Sequence, residues 1–207
     1  MGENKIKDIR GMGIKVTALA FSIVQLVALI TGMLDPQRLR AYHLLFAILL
    51  VYLMKPSKIK NNFALVLDCI LLLCGVMPLA YMIIDNKALL LRMFYVQQLE
   101  WYQYLFAAML IISLIEATRR VIGLALPIIA LIALTYAFFG KNLPGAFGHS
   151  GFTTVEITDQ IVYTTEGIFG TPLGASSTFV LLFGIFGAFL EHSGTARYLM
   201  DPASRAT

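Results

Sequence analysis

Carboxylate and guanidinium groups are scarce in this chain, and the most informative ones lie inside or beside long apolar stretches. Asp68 is surrounded by leucine, isoleucine and valine residues, and Glu116 is followed closely by Arg119 and Arg120. An ionisable group within an apolar stretch marks either a proton or ion site or an ion pair between helices. Glu116, Arg119 and Arg120 have i, i+3 and i+4 spacing, so on a helix one carboxylate faces both guanidinium groups.

The elements that position these residues are predicted to be membrane helices. The chain has 207 residues, of which 58% are hydrophobic and only 14% charged, whereas soluble domains carry about 25% charged residues. Stretches of 18 or more apolar residues are long enough to cross a bilayer core. We therefore predict an all-α polytopic membrane protein with about six transmembrane helices, at 16–34, 42–54, 63–84, 101–115, 121–139 and 178–190.

The distribution of Lys and Arg predicts the orientation of these spans. Basic residues are enriched in cytoplasmic flanks. With a cytoplasmic N-terminus, the inside flanks hold eleven of the sixteen basic residues and the outside flanks hold five: Arg38, Arg40, Lys87, Arg92 and Lys141. The bias favours N-in and, with six spans, C-in.

Asp68 lies near the cytoplasmic end of the third predicted span. An aspartate at a helix centre costs about 2.5–3.5 kcal/mol on the insertion scale, and the twelve Leu, Ile, Phe and Val residues of the span return about 4–7 kcal/mol. The span therefore still inserts, but the carboxylate needs a partner. We predict an ion pair with Arg119 or Arg120 that ties two helices together, and the alternative is a proton or ion site.

Two outside segments are too long to be simple turns. Residues 85–103 end in aromatic residues, which suit the headgroup level, and residues 140–177 are rich in Gly, Pro and Thr with a predicted short helix at 154–165. Glu166 precedes a glycine-rich stretch that can either cradle a ligand or form a packed turn, and the packed turn is favoured. Glu191 ends the sixth predicted span and is interpreted as a helix-end polar residue.

Several classes of function have no support in the sequence. The net charge of +4 comes without a basic stripe interleaved with aromatic residues, so no nucleic-acid partner is predicted. No phosphate-binding loop and no hydrolase or zinc-protease motif is present. Cys69 and Cys74 point away from each other on a helix, and the three histidines are scattered, so neither a metal site nor an enzyme is predicted.

A combination of motifs in the second half resembles the fused permeases of tripartite ATP-independent periplasmic (TRAP) transporters. The similar segments are Glu116-Ala-Thr-Arg-Arg120, Gly123-Leu-Ala-Leu-Pro127, Leu143-Pro-Gly145 and, above all, Thr164-Thr-Glu-Gly-Ile-Phe-Gly-Thr-Pro-Leu-Gly174. The run from Phe186 to Glu191 is similar too. The resemblance covers about residues 116–201, and before that only the layout of four spans matches.

The resemblance implies a secondary transporter of the cytoplasmic (inner) membrane of a bacterium or archaeon. Such permeases join a four-helix small subunit to a twelve-helix large subunit, and take a solute, commonly an organic acid, from a periplasmic solute-binding protein with a sodium gradient. Residues 1–118 then resemble the small subunit, 119–201 the start of the large subunit, and 202–207 form a divergent tail. The implied partners are membrane lipid, the solute-binding protein and the remaining large permease portion.

The ion and substrate sites of the family lie largely beyond the segment that matches Asp201, and no pair of broken helices is recognised in this sequence. The sodium sites and the substrate-binding residues are therefore not assigned here. We expect an N-terminal fragment of a fused permease that does not transport alone. The alternative is a membrane scaffold or assembly subunit without a transport path of its own.

Overall fold

The computed structural model describes residues 2–57 and 62–194, and in this part of the chain the regular structure is entirely helical, without strands. The tail at 202–207 lies outside the described residues. The helices are α1 (Gly2–Thr31), α2 (Pro36–Met54), α3 (Asn62–Ile84), α4 (Asn86–Leu91), α5 (Trp101–Ile122), α6 (Ala125–Phe139), α7 (Thr154–Thr158), α8 (Thr171–Ala175) and α9 (Leu181–His192). The predicted all-α class is confirmed for this part of the chain.

Four helical segments are long and apolar enough to cross a membrane: Arg10–Thr31, Ala64–Ile84, Ala125–Asn142 and Thr171–His192. Their surfaces are mostly not covered by the rest of the protein. Helices with apolar residues on all sides are stable when lipid surrounds them. The chain is therefore a possible multi-pass membrane protein, with four candidate spans.

The helix ends follow local sequence signals. Asp35 caps α2 by accepting a hydrogen bond from the Arg38 backbone N–H at 3.0 Å, and Pro36 occupies the first helical position. At the other side of the bundle, α5 ends at Gly123, whose φ of 99° is a conformation that disfavours residues with a Cβ atom.

The end of α5 corrects the predicted fifth span. Val121 and Ile122 belong to α5, and the next helix begins only at Ala125. The apolar run that starts at Val121 is continuous in hydropathy, but the backbone turns at Gly123 within it. The predicted fourth helix is correspondingly longer, and it includes Glu116, Arg119 and Arg120 as the i, i+3 and i+4 spacing required.

The core is formed by the contact of α2, α3 and α5. Along α2 the buried residues include Ala41, Leu44, Ile48 and Tyr52, which recur at the spacing of one helix face. Close contact with α3 depends on Gly75, where a Cβ atom would lie 2.6 Å from the Ser113 Oγ atom of α5. Helix α1 packs on the outer side of α2.

The segment after α6 folds back onto this core. Two short 3₁₀ turns lead to α7, which continues as a π-helical turn from Asp159 to Tyr163, so the predicted helix at 154–165 is confirmed. Tyr163 and Phe169 are completely buried and belong to the same core as α2, α3 and α5. This packing joins the segment after α6 to the core of α2, α3 and α5.

The last described helix starts earlier than predicted. It begins at Thr171, with Pro172 in its first turn, and continues through a π-helical turn at Ser176–Val180 into α9. It therefore adds seven residues, about two turns, before the predicted start at 178. The first half contacts α2, and α9 contacts α1. The boundary proposed between residues 118 and 119 lies inside α5.

Candidate functional site: polar networks that join the helices

The first network, here called the Asp68 cluster, consists of Asp68, Glu116, Arg119 and Arg120. Arg120 Nη2 lies 2.6 Å from Asp68 Oδ1 and Arg120 Nε lies 2.7 Å from Glu116 Oε1. Arg119 forms a bidentate salt bridge with the same glutamate, with Nε 2.7 Å from Oε2 and Nη2 2.8 Å from Oε1. The predicted contact of Asp68 with one of the two arginines is present, and Arg120 is that partner.

Both oxygens of Asp68 are used inside the protein. While Oδ1 accepts from Arg120, Oδ2 accepts from the Ser57 backbone N–H at 2.8 Å. The side chain of Arg120 is only 6% exposed, and its guanidinium group also lies 4.8 Å from the centre of the Tyr52 ring. A desolvated arginine gains from such a cation–π contact. The cluster therefore links α3 and α5 with α2 and the residues that follow it.

A second network, the Asp159 cluster, lies at the other end of α3 and consists of Arg92, Tyr95, Gln97 and Asp159. Asp159 is completely buried and forms an ion pair with Arg92. Its Oδ2 atom accepts from the Tyr95 backbone N–H at 2.7 Å, while Arg92 Nη1 donates to the Gln97 carbonyl at 2.9 Å. A buried charge is stable only when it is paired and hydrogen-bonded in this way.

The sequence interpretation missed the Asp159 cluster. Arg92 was assigned only to the outside flanks, and no role was assigned to Asp159. A signal was present, because Asp159 lies between the apolar residues Ile157 and Val162 in a short helix. An aspartate among residues that must be buried requires a cation, but the sequence alone does not indicate which of the basic residues supplies it.

Tyr163 and the residues around it extend the Asp159 cluster into the bundle. Its hydroxyl donates to the Gln103 carbonyl at 2.6 Å, and its own carbonyl accepts from Gln37 Nε2 at 2.8 Å. Burial raises the pKa of Tyr163 far above its ordinary value, so the hydroxyl stays protonated and donates. Gln103 in turn donates to the Tyr81 hydroxyl at 2.9 Å. Helices α2, α3 and α5 are thereby joined to the segment after α7.

A third set of polar contacts connects α1 and α2 with the last described helix. Gln25, which is completely buried, donates to the Ser177 carbonyl at 2.9 Å, and His43 Nε2 lies 3.1 Å from Ser176 Oγ. Arg40 donates a hydrogen bond through Nη1 to the carbonyl of Phe169. The two serines lie in the π-helical turn, which is where long helices often carry functional polar groups.

The remaining predicted site residues do not join these networks. Glu166 and Glu191 are both exposed. The glycine-rich stretch after Glu166 forms a packed turn, because a Cβ atom at Gly170 would lie 2.7 Å from the Glu166 carbonyl oxygen. Cys69 and Cys74 are free thiols, and in the described part of the chain no three His, Cys, Asp or Glu side chains form a metal-binding group.

Two hollows in the described structure have very different linings. A polar hollow of about 320 Å³ beside the Asp159 cluster is lined by Tyr81, Asp85, Arg92 and Glu100 among others. Its volume is near the lower limit for ligand pockets. A larger hollow, about 650 Å³, lies between α5 and α6 and is lined almost entirely by apolar side chains.

No family model, curated protein or solved structure matches this chain.

Proposed function

We propose that this chain is part of a membrane permease of the TRAP type and that the described helices act as its scaffold. The observation that carries this proposal is the way in which polar side chains are used. Asp68, Asp159, Arg92 and Arg120 are all engaged with partners on other helices or segments. A scaffold needs such ties, whereas a proton or ion site needs a carboxylate with a free coordination position.

The six-span topology with N-in and C-in termini is part of the proposal. The four candidate spans would be joined by α2 and α5, which have 19 and 22 residues and are long enough for most of the bilayer core. Both lie at the centre of the bundle, where they bury polar residues such as Gln37 and Gln103. Polar residues on a helix that is shielded by its neighbours lower its hydropathy without exposing them to lipid.

The transport chemistry rests on the resemblance of the motifs. We infer sodium-coupled uptake of a solute, an organic acid by resemblance, delivered by a periplasmic solute-binding protein across a bacterial or archaeal cytoplasmic membrane. The motif Thr164–Gly174 supports the scaffold role, because its residue Phe169 is buried in the core and its carbonyl binds Arg40 on α2. The expectation that the chain is a fragment stays a prediction, which the DNA downstream of codon 207 tests.

A scaffold or assembly subunit outside a TRAP permease is the second candidate. It is favoured by the same internal use of Asp68, since both of its oxygens are already engaged. The two candidates differ in their partners: only the first requires the remaining large permease portion and a solute-binding protein.

The test begins with coexpression of this chain with the large permease portion and the solute-binding protein, followed by copurification. Uptake of a radiolabelled organic acid is then measured in vesicles with and without a sodium gradient. We expect a stable complex and uptake that requires all components. The exposed charge variant Glu166→Gln should leave both unchanged. Failure to copurify would refute the TRAP assignment, and sodium-dependent uptake by the 207 residues alone would refute the scaffold role.

A further inference from the structure

The apolar groove between α5 and α6 has the shape of a site for one hydrocarbon chain. Its α6 wall includes Ala130, Ala133 and Ala137, which recur at helical spacing, and Ile161 and Ile168 close it from the segment after α7. Small side chains on this face leave a hollow of about 650 Å³. A second hollow of about 430 Å³ shares the lining residues Ala137 and Ile161, so the two hollows adjoin.

The groove lies along a candidate membrane span, Ala125–Asn142. Its lining on α6 extends from Leu126 to Ala137, which corresponds to about 16 Å at 1.5 Å per residue. One leaflet supplies about half of a hydrocarbon core that is roughly 30 Å thick. The groove therefore matches the depth of a single leaflet. An empty groove would also lose the dispersion contacts of its lining, so hydrocarbon is the natural occupant.

An exposed guanidinium group, that of Arg119, lies near the end of the groove at Gly123. Thr118 lies in the groove wall, and Arg119 lies one helical turn beyond the groove residue Ile115. The side chain of Arg119 is 50% exposed, and it contacts Glu116 through Nε and Nη2 only.

We propose that the groove binds one membrane phospholipid, with an acyl chain along the alanine face of α6 and the phosphate at Arg119. A guanidinium group at the edge of the hydrocarbon region complements a phosphate in charge and in hydrogen-bonding geometry. The inference rests on the membrane location of the helices and not on the TRAP resemblance.

A helix of a second copy or of another protein fits the groove less well. Helices α5 and α6 are joined by a two-residue link and contact each other directly. A helix with its side chains is about 10–12 Å wide, so it would pack over the mouth of the groove and would not enter the space between two helices that already touch. An acyl chain needs only the width left by the alanine side chains.

The experiment is native mass spectrometry of the purified full chain in detergent, with added phosphatidylglycerol or with diacylglycerol of the same acyl chains. We expect one phosphatidylglycerol per chain, retained at least tenfold better than diacylglycerol. Ala133→Phe fills the groove and should reduce retention at least tenfold. Ile132→Phe places the same ring on the exposed face of α6 and should retain lipid as the unmodified chain does.

Two further results decide the proposal. Arg119→Gln should reduce the preference for phosphatidylglycerol over diacylglycerol while the helical circular dichroism spectrum stays the same. The proposal is overturned if Ala133→Phe retains lipid normally, if both probes bind equally to the unmodified chain, or if Ala133→Phe converts a dimer into a monomer. The last result would assign the groove to a helix of a second copy.

Discussion

Asp68→Asn is the substitution that most directly tests whether the Asp68 cluster is a structural tie. The asparagine has nearly the same size, but it has one acceptor oxygen and no charge. It can therefore no longer serve both the Arg120 guanidinium group and the Ser57 backbone N–H, which lie 2.6 and 2.8 Å from the carboxylate. The nearly buried arginine would keep Glu116 as its remaining ionic partner.

The expected loss of unfolding free energy follows from these contacts. Breaking a fully buried ion pair costs about 3–5 kcal/mol, and a single hydrogen bond to a charged group contributes about 1.5–3 kcal/mol. Glu116 still compensates the positive charge of Arg120 in the variant. We therefore expect Asp68→Asn to lower the unfolding free energy by about 2 kcal/mol, within the range for a single hydrogen bond to a charged group. That corresponds to roughly a thirtyfold change in the unfolding equilibrium.

The assay is reversible unfolding of the purified chain in mixed detergent micelles with increasing sodium dodecyl sulfate, followed by circular dichroism. Glu166→Gln provides the matched control, because it removes an exposed carboxylate and should change the free energy by less than about 0.5 kcal/mol. A double-mutant cycle with Arg120→Met should give a coupling energy of about 1–3 kcal/mol. If Asp68→Asn unfolds like the control, the structural tie is wrong and the proton or ion site becomes the better explanation.

Three other perturbations test the packing and the charges. Asp159→Asn should destabilise the chain by about 3 kcal/mol because it leaves Arg92 buried without its ion pair; the same unfolding assay measures this, and a neutral result would contradict the buried pair. Gly75→Ala should lower the unfolding free energy by about 1–3 kcal/mol, because the added Cβ atom clashes between α3 and α5. The control Gly187→Ala, where a Cβ atom meets nothing within 4 Å, should be neutral or slightly stabilising. Equal effects of the two substitutions would refute the close approach at Gly75. The pKa of Glu156 is held below 4.5 chiefly by the hydrogen bond from the Thr153 backbone N–H at the start of α7, so its contribution is complete above pH 4.5 and is lost as the pH falls through the lower folded value. The protection of that amide, measured as its exchange rate relative to the intrinsic rate at each pH, should therefore fall in acid, and Glu156→Gln should remove this fall.

The helices were predictable because lipid-facing segments carry a strong one-dimensional signal. The third predicted span, 63–84, nearly coincides with α3, and hydropathy alone was enough to find it. The Asp68 contact was also predictable, since a costly carboxylate near one end of a span must find a cation at the same depth. Arg119 and Arg120, at the cytoplasmic end of the fourth predicted span, were the cations within reach at that depth.

The features that the sequence does not predict depend on tertiary contacts between distant segments or on the backbone conformation of a single residue. Gly123 divides an apolar run whose composition is uniform, and only its φ of 99° reveals the turn. Arg92 and Asp159 belong to two irregular segments whose approach no periodicity encodes. The contacts of Gln25 and His43 with the π-helical turn depend on which faces of three helices meet. Hydropathy determines which segments enter the membrane, but it does not specify how they pair.

The ion pair between Arg92 and Asp159 has a consequence for the order of events during synthesis. Its two residues are separated by 67 positions in the chain, and at about 5–20 residues per second a ribosome needs roughly 3–13 s to add the second after the first. Arg92 can therefore meet its counter-ion only after α5, α6 and α7 have been synthesised. The packing of the segment after α6 onto the core is completed later than the synthesis of the core helices α2, α3 and α5.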